Sequence, residues 1–309
     1  MSLRTLPSGA LIGVVAPAGP VAPEALAAVE PLYARHGYRA RIYPGCHATR
    51  HGELDYLAGA DVLRLADLHA AIADGEVAAI HCLRGGYGTM RLLDGVDTAL
   101  VRAHPKLLIG YSDITALHAL WCREGLPSLH APMPASDLVK PGREADANAL
   151  FTLLRNGQRA GDVLAPRLDP ACDDVRLGGR AEGPLIGGNL SLVASLLGTG
   201  FAWPAQGAIL FLEDVNEELY RIDRLLTQLR LAGALDAVSG IVLGSFTEEA
   251  SPLPLLRELL LPLCRRRGLP LLGGWPTGHG TPNRPLPLGL RMALDADAGT
   301  LTLLQDFLR

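Results

Sequence analysis

The chain has 309 residues, of which 49% are hydrophobic and 19% are charged, and its formal net charge is −4. This composition can form a substantial core and argues against disorder, and the length is enough for two domains of ordinary size or one large one. The slight acidity and the lack of a basic stripe argue against nucleic acid or an anionic membrane surface as a partner, and favour a small polar substrate.

The cysteines and the N-terminus bear on the compartment. The five cysteines are scattered and lack CxxC spacing, so neither a zinc site nor a disulfide framework is indicated, and reduced thiols in a cytosolic protein are the simplest interpretation. The first apolar run, ALIGVVA, is too short for a signal peptide and is interpreted as a strand. No run of about 18 apolar residues predicts a membrane span. We therefore expect a cytoplasmic protein, and the sequence indicates neither a metal nor a cofactor.

The first half of the chain alternates apolar strands with helices. Strands are predicted in LIGVVAP, YRARIYP, VAAIHCLRG and KLLIGYS. Helices are predicted in PEALAAVEPLYARHG and ADVLRLADLHAAIADG, which end at Gly37 and Gly75. This alternation predicts a mostly parallel sheet with helices on both faces.

The pattern weakens after the first half. Residues 139–176 carry one short helix among polar stretches with proline and glycine, which is typical of an interdomain connection. Further on, we predict the helix LSLVASLLGT, the strand GAILFLEDV, the helix EELYRIDRLLTQLRLAG, the strand AVSGIVLGSF, the helix PLLRELLLPLCRRRG and a hairpin in RMALDADAGTLTLLQ. The fold class is therefore α/β with two domains. The N-terminal domain, 1–138, contains the parallel sheet, and the C-terminal domain, 177–309, is a mixed β/α domain.

Ser112 lies where the strand KLLIGYS meets the helix DITALHALW. In open α/β sheets, sites lie beyond the carboxyl ends of the strands, so a serine there would point into the crevice. The Asp113 amide would be an unpaired donor in the first helical turn, which suits an oxyanion. The alternative is an ordinary helix cap, a common role of serine. The G-x-S-x-G elbow of α/β-hydrolases does not fit, because Ile114 replaces its second glycine.

The segment LRGGYGTMRLLD, residues 83–94, is a second candidate. Its glycines directly after a strand would let backbone N–H groups approach a ligand closely. It matches neither a dinucleotide fingerprint, because Arg91 replaces a glycine, nor a P-loop, because G-K-[ST] is missing. It is either a tight turn or a source of oxyanion donors. Arg84 and Tyr87 are candidates for substrate binding, Arg84 as a bidentate carboxylate ligand or, alternatively, in an ion pair with Asp94.

A catalytic serine needs a base, and the base needs an orienting group. His279 is the strongest candidate for the base, because it lies between two glycines in a proline-rich loop and not on an apolar helix face. His118 falls in the helix after Ser112 and is better explained by packing. His81 and His130, at strand ends, stay open as alternatives.

The orienting acid is sought in ILFLEDVNEELYRIDR. Glu213 directly follows the buried run AILFL, so it would emerge at a strand end. Glu217 and Glu218 are well explained as acids at a helix N-terminus, where the dipole favours them. We therefore predict that Glu213, and not Asp214 or Glu217, orients His279.

A series of motifs, taken in chain order, resembles the LD-carboxypeptidases from about residue 10 to residue 295. The motifs are APAGP, LRGGYGTMRLLD, IGYSDITALH, GPLIGGNLSL, LEDVNEELYRIDRLLTQL and TGHG. The resemblance implies a triad of Ser112, Glu213 and His279, and an oxyanion hole made by the amides of Asp113 and Gly86. It also implies an active site in the interdomain cleft, because the nucleophile and the base belong to different domains.

The implied activity is hydrolysis of the bond between an L-centre and a C-terminal D-alanine in muropeptides. The family acts in the bacterial cytoplasm during cell-wall recycling, and its members are typically homodimers. Two alternatives stay open. A microcin-immunity peptidase with the same motifs would cleave a peptidyl-nucleotide or an acyl-sulfamoyl adenylate, and Trp203 or Trp275 could stack on its base. A binding module without activity would have no need of the Ser–Glu–His proton relay.

Overall fold

The computed structural model describes residues 3–48, 53–247 and 251–309. The chain forms two compact units. The first comprises Met1–Gly157, Arg284–Leu286 and Leu308–Arg309, and the second comprises Gln158–Asn283 and Pro287–Phe307.

The first unit contains a six-stranded sheet. Its strands are β1 (Leu11–Val15), β2 (Arg39–Ile42), β3 (Val77–Cys82), β4 (Leu107–Gly110), β5 (Ser128–His130) and an edge strand that begins at Leu286. The first five are parallel and lie in the order β2-β1-β3-β4-β5. β1 is buried along its whole length, as expected for a strand inside a parallel sheet that is covered on both faces.

The helices of the first unit lie where the sequence predicts them, except that one predicted helix is divided and the short α4 was not predicted. They are α1 (Pro23–Ala27), α2 (Val29–Arg35), α3 (Asp61–Ala73), α4 (Thr98–Ala103), α5 (Thr115–Arg123) and α6 (Glu144–Asn156). The sequence predicts α1 and α2 as one helix. They are separate because Pro31 has no N–H to donate to the Ala27 carbonyl and its ring crowds that carbonyl. Short 3₁₀ or π turns occupy Pro44–His47, Thr89–Gly95, Ser112–Ile114 and Pro134–Leu138.

The division between the units falls at Gly157, inside the segment 139–176 that the sequence predicts as a connection. α6 belongs to the first unit because its apolar face is buried there. The Phe151 ring lies 5.6 Å from the ring of Tyr33 and stacks on Tyr38 at 5.5 Å. The remainder of the predicted connection belongs to the second unit.

The second unit contains a mixed eight-stranded sheet, as predicted. Its strands are β6 (Val163–Leu164), β7 (Arg176–Leu177), β8 (Arg180–Asn189), β9 (Ile209–Val215), β10 (Gly240–Thr247), β11 (Leu271–Leu272), β13 (Arg291–Asp295) and β14 (Thr300–Leu303). The strand β12 (Leu286–Leu288) is not part of this sheet; it is the edge strand of the six-stranded sheet. β8, β9, β10 and β11 are parallel, while β13 and β14 form the predicted antiparallel hairpin. The helices are α7 (Leu190–Ser195), α8 (Leu219–Leu231), α9 (Ala234–Ala237) and α10 (Leu253–Arg267). Within the described ranges, no helix is both long and apolar enough to cross a bilayer.

Candidate active site

Ser112 lies in a sharp turn at the carboxyl end of β4. Tyr111 is fully extended, and Ser112 then adopts a left-handed backbone with φ of +64°. This conformation is uncommon for a residue with a Cβ and disfavours it by roughly 1–2 kcal/mol. The N-cap positions of the two following helical segments are Tyr111 and Ile114, so Ser112 is not the helix cap that the sequence left open. Backbone strain of this kind is characteristic of a side chain that is presented for function.

The glycine-rich segment 83–94 packs directly against Ser112. A Cβ atom on Gly85 would lie 2.9 Å from Ser112 Cβ and 3.0 Å from its Oγ, which is too close for any side chain. The same position is 3.4 Å from the Asp113 backbone nitrogen. Gly86 follows with φ of +113° and is exposed. The glycine-rich segment therefore packs through Gly85 against both Ser112 and the Asp113 amide, and Gly86 is the next residue along the chain.

The carboxylate of Asp113 fixes this arrangement. Its Oδ2 accepts a hydrogen bond of 2.8 Å from the Thr89 backbone N–H, at the end of the glycine-rich segment. Burial raises the pKa of Asp113, and the hydrogen bonds from Thr89 lower it. The sequence predicts a role only for the backbone amide of Asp113. The bond to Thr89 joins two segments far apart in the chain, so no local pattern could have predicted it.

Arg64 is a second residue that the sequence analysis missed. Its side chain is buried beneath the loop, donates to the carbonyl oxygens of Pro17 and Gly88, and forms an ion pair with Asp61. The Gly19 N–H donates to the Gly85 carbonyl at 3.1 Å. The N-terminal motif APAGP therefore supports the glycine-rich segment from below. In the sequence, Arg64 shows only as a charged residue at the helical spacing of the apolar residues Leu68, Ala71 and Ile72.

Arg84 and Tyr87 lie on either side of the Gly85–Gly86 turn. Arg84 is half-buried, and it donates to the carbonyl oxygens of Gly85 at 3.1 Å and Pro20 at 2.9 Å. Among the described residues, no ion pair joins Arg84 to Asp94. Tyr87 is exposed at the surface of the loop.

Glu213 and His279 are brought together in the second unit. Glu213, on β9, is 0% exposed, and its Oε2 lies 2.6 Å from Nδ1 of His279, whose side chain is 15% exposed. The same oxygen accepts a bond of 3.2 Å from the His279 backbone N–H. An ionised carboxylate can only accept, so Nδ1 carries the proton and Nε2 is left as the basic nitrogen.

The loop around His279 is held by close backbone contacts. Gly278 has φ of +122°, and a Cβ atom there would lie 2.7 Å from Glu213 Oε2 and 2.7 Å from Ser245 Oγ. Ser245 Oγ accepts from the Gly280 N–H at 2.8 Å, and the Asn283 side chain accepts from the Gly278 N–H at 3.0 Å. Ser245 and Asn283 thus position the histidine, a role that the sequence analysis did not assign to them.

The neighbouring acids have other partners. Asp214 accepts from the Asn189 side chain at 2.8 Å and from the N–H and hydroxyl of Ser191 at 3.0 and 2.9 Å. Burial and the nearby Glu213 raise its pKa to about 6, against the lowering effect of these hydrogen bonds. Glu217 accepts from Ser191 Oγ at 3.4 Å. Asp214 and Glu217 therefore hold the start of α7, and Glu213 is the acid that contacts His279.

The alternative histidines are structural. His118 bonds Ser128 Oγ at 2.8 Å and the Gly110 carbonyl at 2.9 Å, while His81 bonds the hydroxyl of Tyr33 at 2.7 Å. Burial lowers the pKa of His118 to about 3 and that of His81 to about 4, so both are neutral near pH 7. His130 is buried, and its ring lies 6.3 Å from that of His118. Across the described parts of the chain, no group of three or more His, Cys, Asp or Glu side chains is arranged to hold a metal.

Family models for the LD-carboxypeptidase N-terminal and C-terminal domains match residues 12–131 and 182–294. The chain belongs to the LD-carboxypeptidase family. A Bacillus subtilis relative, named as a probable murein peptide carboxypeptidase, is 37% identical over 97% of this chain and 93% of its own length. Membership of this family supports carboxypeptidase activity. It also confirms the resemblance that the sequence motifs indicated.

Solved structures agree with the fold. The muramoyltetrapeptide carboxypeptidase of Oxalobacter formigenes has 30% identity and a TM-score of 0.82 over 97% of this chain and 100% of that one. The microcin C7 self-immunity protein MccF has a TM-score of 0.85 with full coverage of both chains and 22% identity, and it shows the shared fold. The predicted α/β architecture is therefore confirmed as that of the LD-carboxypeptidases.

Proposed function

We propose that this protein is a serine peptidase that removes C-terminal D-alanine from muropeptide tetrapeptides by cleaving the bond to the preceding L-centre. Its triad is Ser112, Glu213 and His279. The observation that carries the proposal is the 2.6 Å contact between the buried Glu213 carboxylate and His279 Nδ1, which leaves Nε2 to act as a base. A buried carboxylate that holds an imidazole in this tautomer is what nucleophile activation requires.

The proposed reaction follows from the chemistry of these groups. Ser112 Oγ attacks the scissile carbonyl carbon while His279 Nε2 takes the hydroxyl proton. The amides of Asp113 and Gly86 donate to the developing oxyanion, and the loss of one such donor typically raises the barrier by about 3–4 kcal/mol. His279 then gives the proton to the leaving D-alanine amine, and water hydrolyses the acyl-enzyme by the reverse sequence. The reaction requires the serine of the first unit and the histidine of the second to act on one substrate.

We assign recognition of the substrate's C-terminal carboxylate to Arg84. It directly precedes the Gly85–Gly86 turn, so it is two residues from Gly86, one of the proposed oxyanion donors. Two of its donors are used by the carbonyls of Pro20 and Gly85, and a guanidinium has five N–H groups in all. The remaining donors suit a carboxylate, and the bonds to the loop hold the group in place.

Two observations favour a muropeptide over a nucleotide antibiotic. Trp203 and Trp275, which the sequence offered as platforms for a base, are only 8% and 3% exposed. Stacking needs an accessible ring face, so neither tryptophan fits that role as it stands. The relatives at 30% identity or more whose names are given above are carboxypeptidases of murein or muramoyl peptides. We also propose, from the family resemblance, a cytoplasmic homodimer that acts in cell-wall recycling.

The test is incubation of the purified protein with muropeptide tetrapeptides that end in D-alanine and differ in their third residue. We expect release of D-alanine, detected by a coupled D-amino-acid oxidase. The matched control is the same peptide ending in L-alanine, which should not be cleaved. Cleavage of an acyl-sulfamoyl adenylate without any release of D-alanine would contradict the proposal and support the microcin-immunity alternative.

A further inference from the structure

Two exposed tyrosines lie together beside the glycine-rich segment. Tyr56 is 46% exposed and Tyr87 is 50% exposed, and their ring centroids are 5.6 Å apart at an interplanar angle of 73°. In such an edge-to-face pair, each ring keeps at least one face clear of its partner. Exposed apolar surface of this kind, when it is contiguous, is characteristic of a binding site.

The pair stands on a buried foundation. Gly88, next to Tyr87, packs on Leu57, next to Tyr56, so closely that a Cβ on Gly88 would lie 2.6 Å from Leu57 Cδ2. The Gly88 carbonyl accepts a 3.0 Å hydrogen bond from the buried Arg64. The backbone that carries both rings is therefore fixed, and a tyrosine has few rotatable bonds to immobilise when it binds a ligand.

The position of the pair relates it to the acyl side of the proposed substrate. Tyr87 directly follows Gly86, the proposed oxyanion donor. We call the two tyrosine rings the platform. A carboxypeptidase substrate has a single residue on the leaving side of the scissile bond, so an extended platform can contact more of the substrate on the acyl side. Three extended residues on that side span at most about 10 Å. The platform starts one residue from Gly86 and continues for another 5.6 Å to the ring of Tyr56.

The charges around the rings favour a neutral ligand. Arg91 lies close enough to both phenols to interact with them electrostatically. Its guanidinium is engaged by Asp61, with an Nη2–Oδ2 distance of 2.7 Å. The platform therefore presents ring faces and hydroxyl groups beside a charge that already has a partner. A sugar ring, which offers C–H groups on one face and hydroxyls at its rim, complements such a surface better than a charged peptide.

We propose that Tyr56 and Tyr87 form a subsite that stacks on the saccharide ring of a muramoyl peptide. The inference rests on the proposed function, because it places the sugar at the far end of the acyl part of that substrate. Both tyrosines contact the sugar and take no part in bond cleavage. The enzyme would accordingly bind sugar-bearing peptides more tightly than free peptides.

Binding of the proposed product tests the subsite without turnover. Calorimetric titration would compare the N-acetylmuramoyl tripeptide with the same tripeptide lacking the sugar. We expect the wild-type protein to bind the sugar-bearing ligand more tightly, by about two- to tenfold for an aromatic contact of this size. Tyr56→Ala should abolish this difference and leave the affinity for the free tripeptide unchanged. Tyr56→Phe, which keeps the ring face, should retain most of the difference.

The matched control is Tyr220→Ala, which removes another exposed tyrosine, on α8 of the second unit. It should leave the preference for the sugar intact. Equal affinity of the wild-type protein for the two ligands, binding of neither, or equal losses on both in Tyr56→Ala would overturn the proposal. Failure of the proposed function is detected separately, as a lack of D-alanine release from the tetrapeptide.

Discussion

At the scale of single residues, three neighbouring acids, Glu213, Asp214 and Glu217, divide between two partners, and Asp214 accepts from Ser191. Glu213 contacts His279, whereas Glu217 accepts from Ser191. Glu213→Gln keeps the shape but removes the charge that selects the tautomer and supports the imidazolium. We expect kcat for D-alanine release to fall by about 10⁴-fold, as for the equivalent change in a Ser–His–Asp triad. Glu217→Gln is the control and should have a small effect, so a larger loss in that variant would refute the assignment.

Arg84 provides the second test at this scale. Arg84→Lys keeps the positive charge but cannot grip a carboxylate through two parallel hydrogen bonds. We expect kcat/KM to fall on the free tetrapeptide and much less on its C-terminal amide. Because Arg84 also braces the loop through Pro20 and Gly85, a purely structural role would lower kcat/KM equally on both substrates. That outcome would assign the exopeptidase preference to another group.

Strand-end placement made Ser112 and Glu213 candidates in the sequence, because the carboxyl ends of parallel strands are where polar side chains become available. The family resemblance was needed to prefer a nucleophile over a helix cap at Ser112. Glu213 does not emerge at a strand end as predicted, because β9 continues to Val215 and keeps it buried.

Strand-end placement was not enough for Arg64, Ser245 or the carboxylate of Asp113. Each of these acts on a backbone group of a distant segment, as Ser245 does on the Gly280 N–H. Such contacts depend on tertiary packing and leave no local periodicity.

At the scale of elements, the contact between the glycine-rich segment and the Ser112 turn can be tested by adding one methyl group. Gly85→Ala would place a Cβ against Ser112 Cβ and Oγ and displace the loop or the serine. We expect kcat to fall by at least about tenfold, because small misplacements of catalytic groups are costly. Gly75→Ala, whose Cβ would meet no atom within 4 Å, is the control. Unchanged kcat in Gly85→Ala would show that the segment does not position the site.

The longer elements were predictable because their apolar periodicity is strong, and the shorter ones were not. β5 has three residues, and β6, β7 and β11 have two each, so none contains a full alternation. They form because a neighbouring strand offers backbone N–H and C=O groups for hydrogen bonding. The separation of α1 from α2 follows from Pro31. The proline is visible in the sequence, but the apolar pattern continues across it and predicted a single helix.

At the scale of the whole molecule, buried neutral histidines make stability depend on pH. His118 has a native pKa of about 3 and His81 one of about 4, below the ordinary value of 6.5, because of burial. Below pH 6.5 these two histidines bind protons in the unfolded chain but stay neutral in the native protein. The free energy of unfolding therefore falls as the pH falls. The full loss is about 5 kcal/mol for His118 and about 3 kcal/mol for His81.

Asp214 contributes with the opposite sign, because its native pKa of about 6 lies above the ordinary 3.8 and its protonation stabilises the native state between these values. The full gain is about 3 kcal/mol, which is smaller than the combined loss from the two histidines. Denaturant titrations at several pH values should show stability falling between pH 6.5 and 4. His118→Gln, whose amide can serve both partners of the ring, should flatten this slope. An identical slope in the variant would contradict the account.

The family assignment extends over both units, with matches to residues 12–131 and 182–294. The boundary itself could not be read from composition. Residues 144–156 lie in a stretch that looks like a connection, yet the apolar face of α6 docks on the aromatic cluster around Tyr33. Burial of that face, and not the local content of proline and glycine, decides to which unit the helix belongs.

We propose that Ser112 is the nucleophile of a peptidase that needs no metal. The most direct measurement is kcat for D-alanine release by the wild-type protein and by Ser112→Ala, each with and without a chelator. Removal of the nucleophile should lower kcat by about 10⁶-fold while the melting temperature stays near that of the wild type, and the chelator should have no effect. Retained activity in Ser112→Ala, or loss of wild-type activity on chelation, would contradict the account.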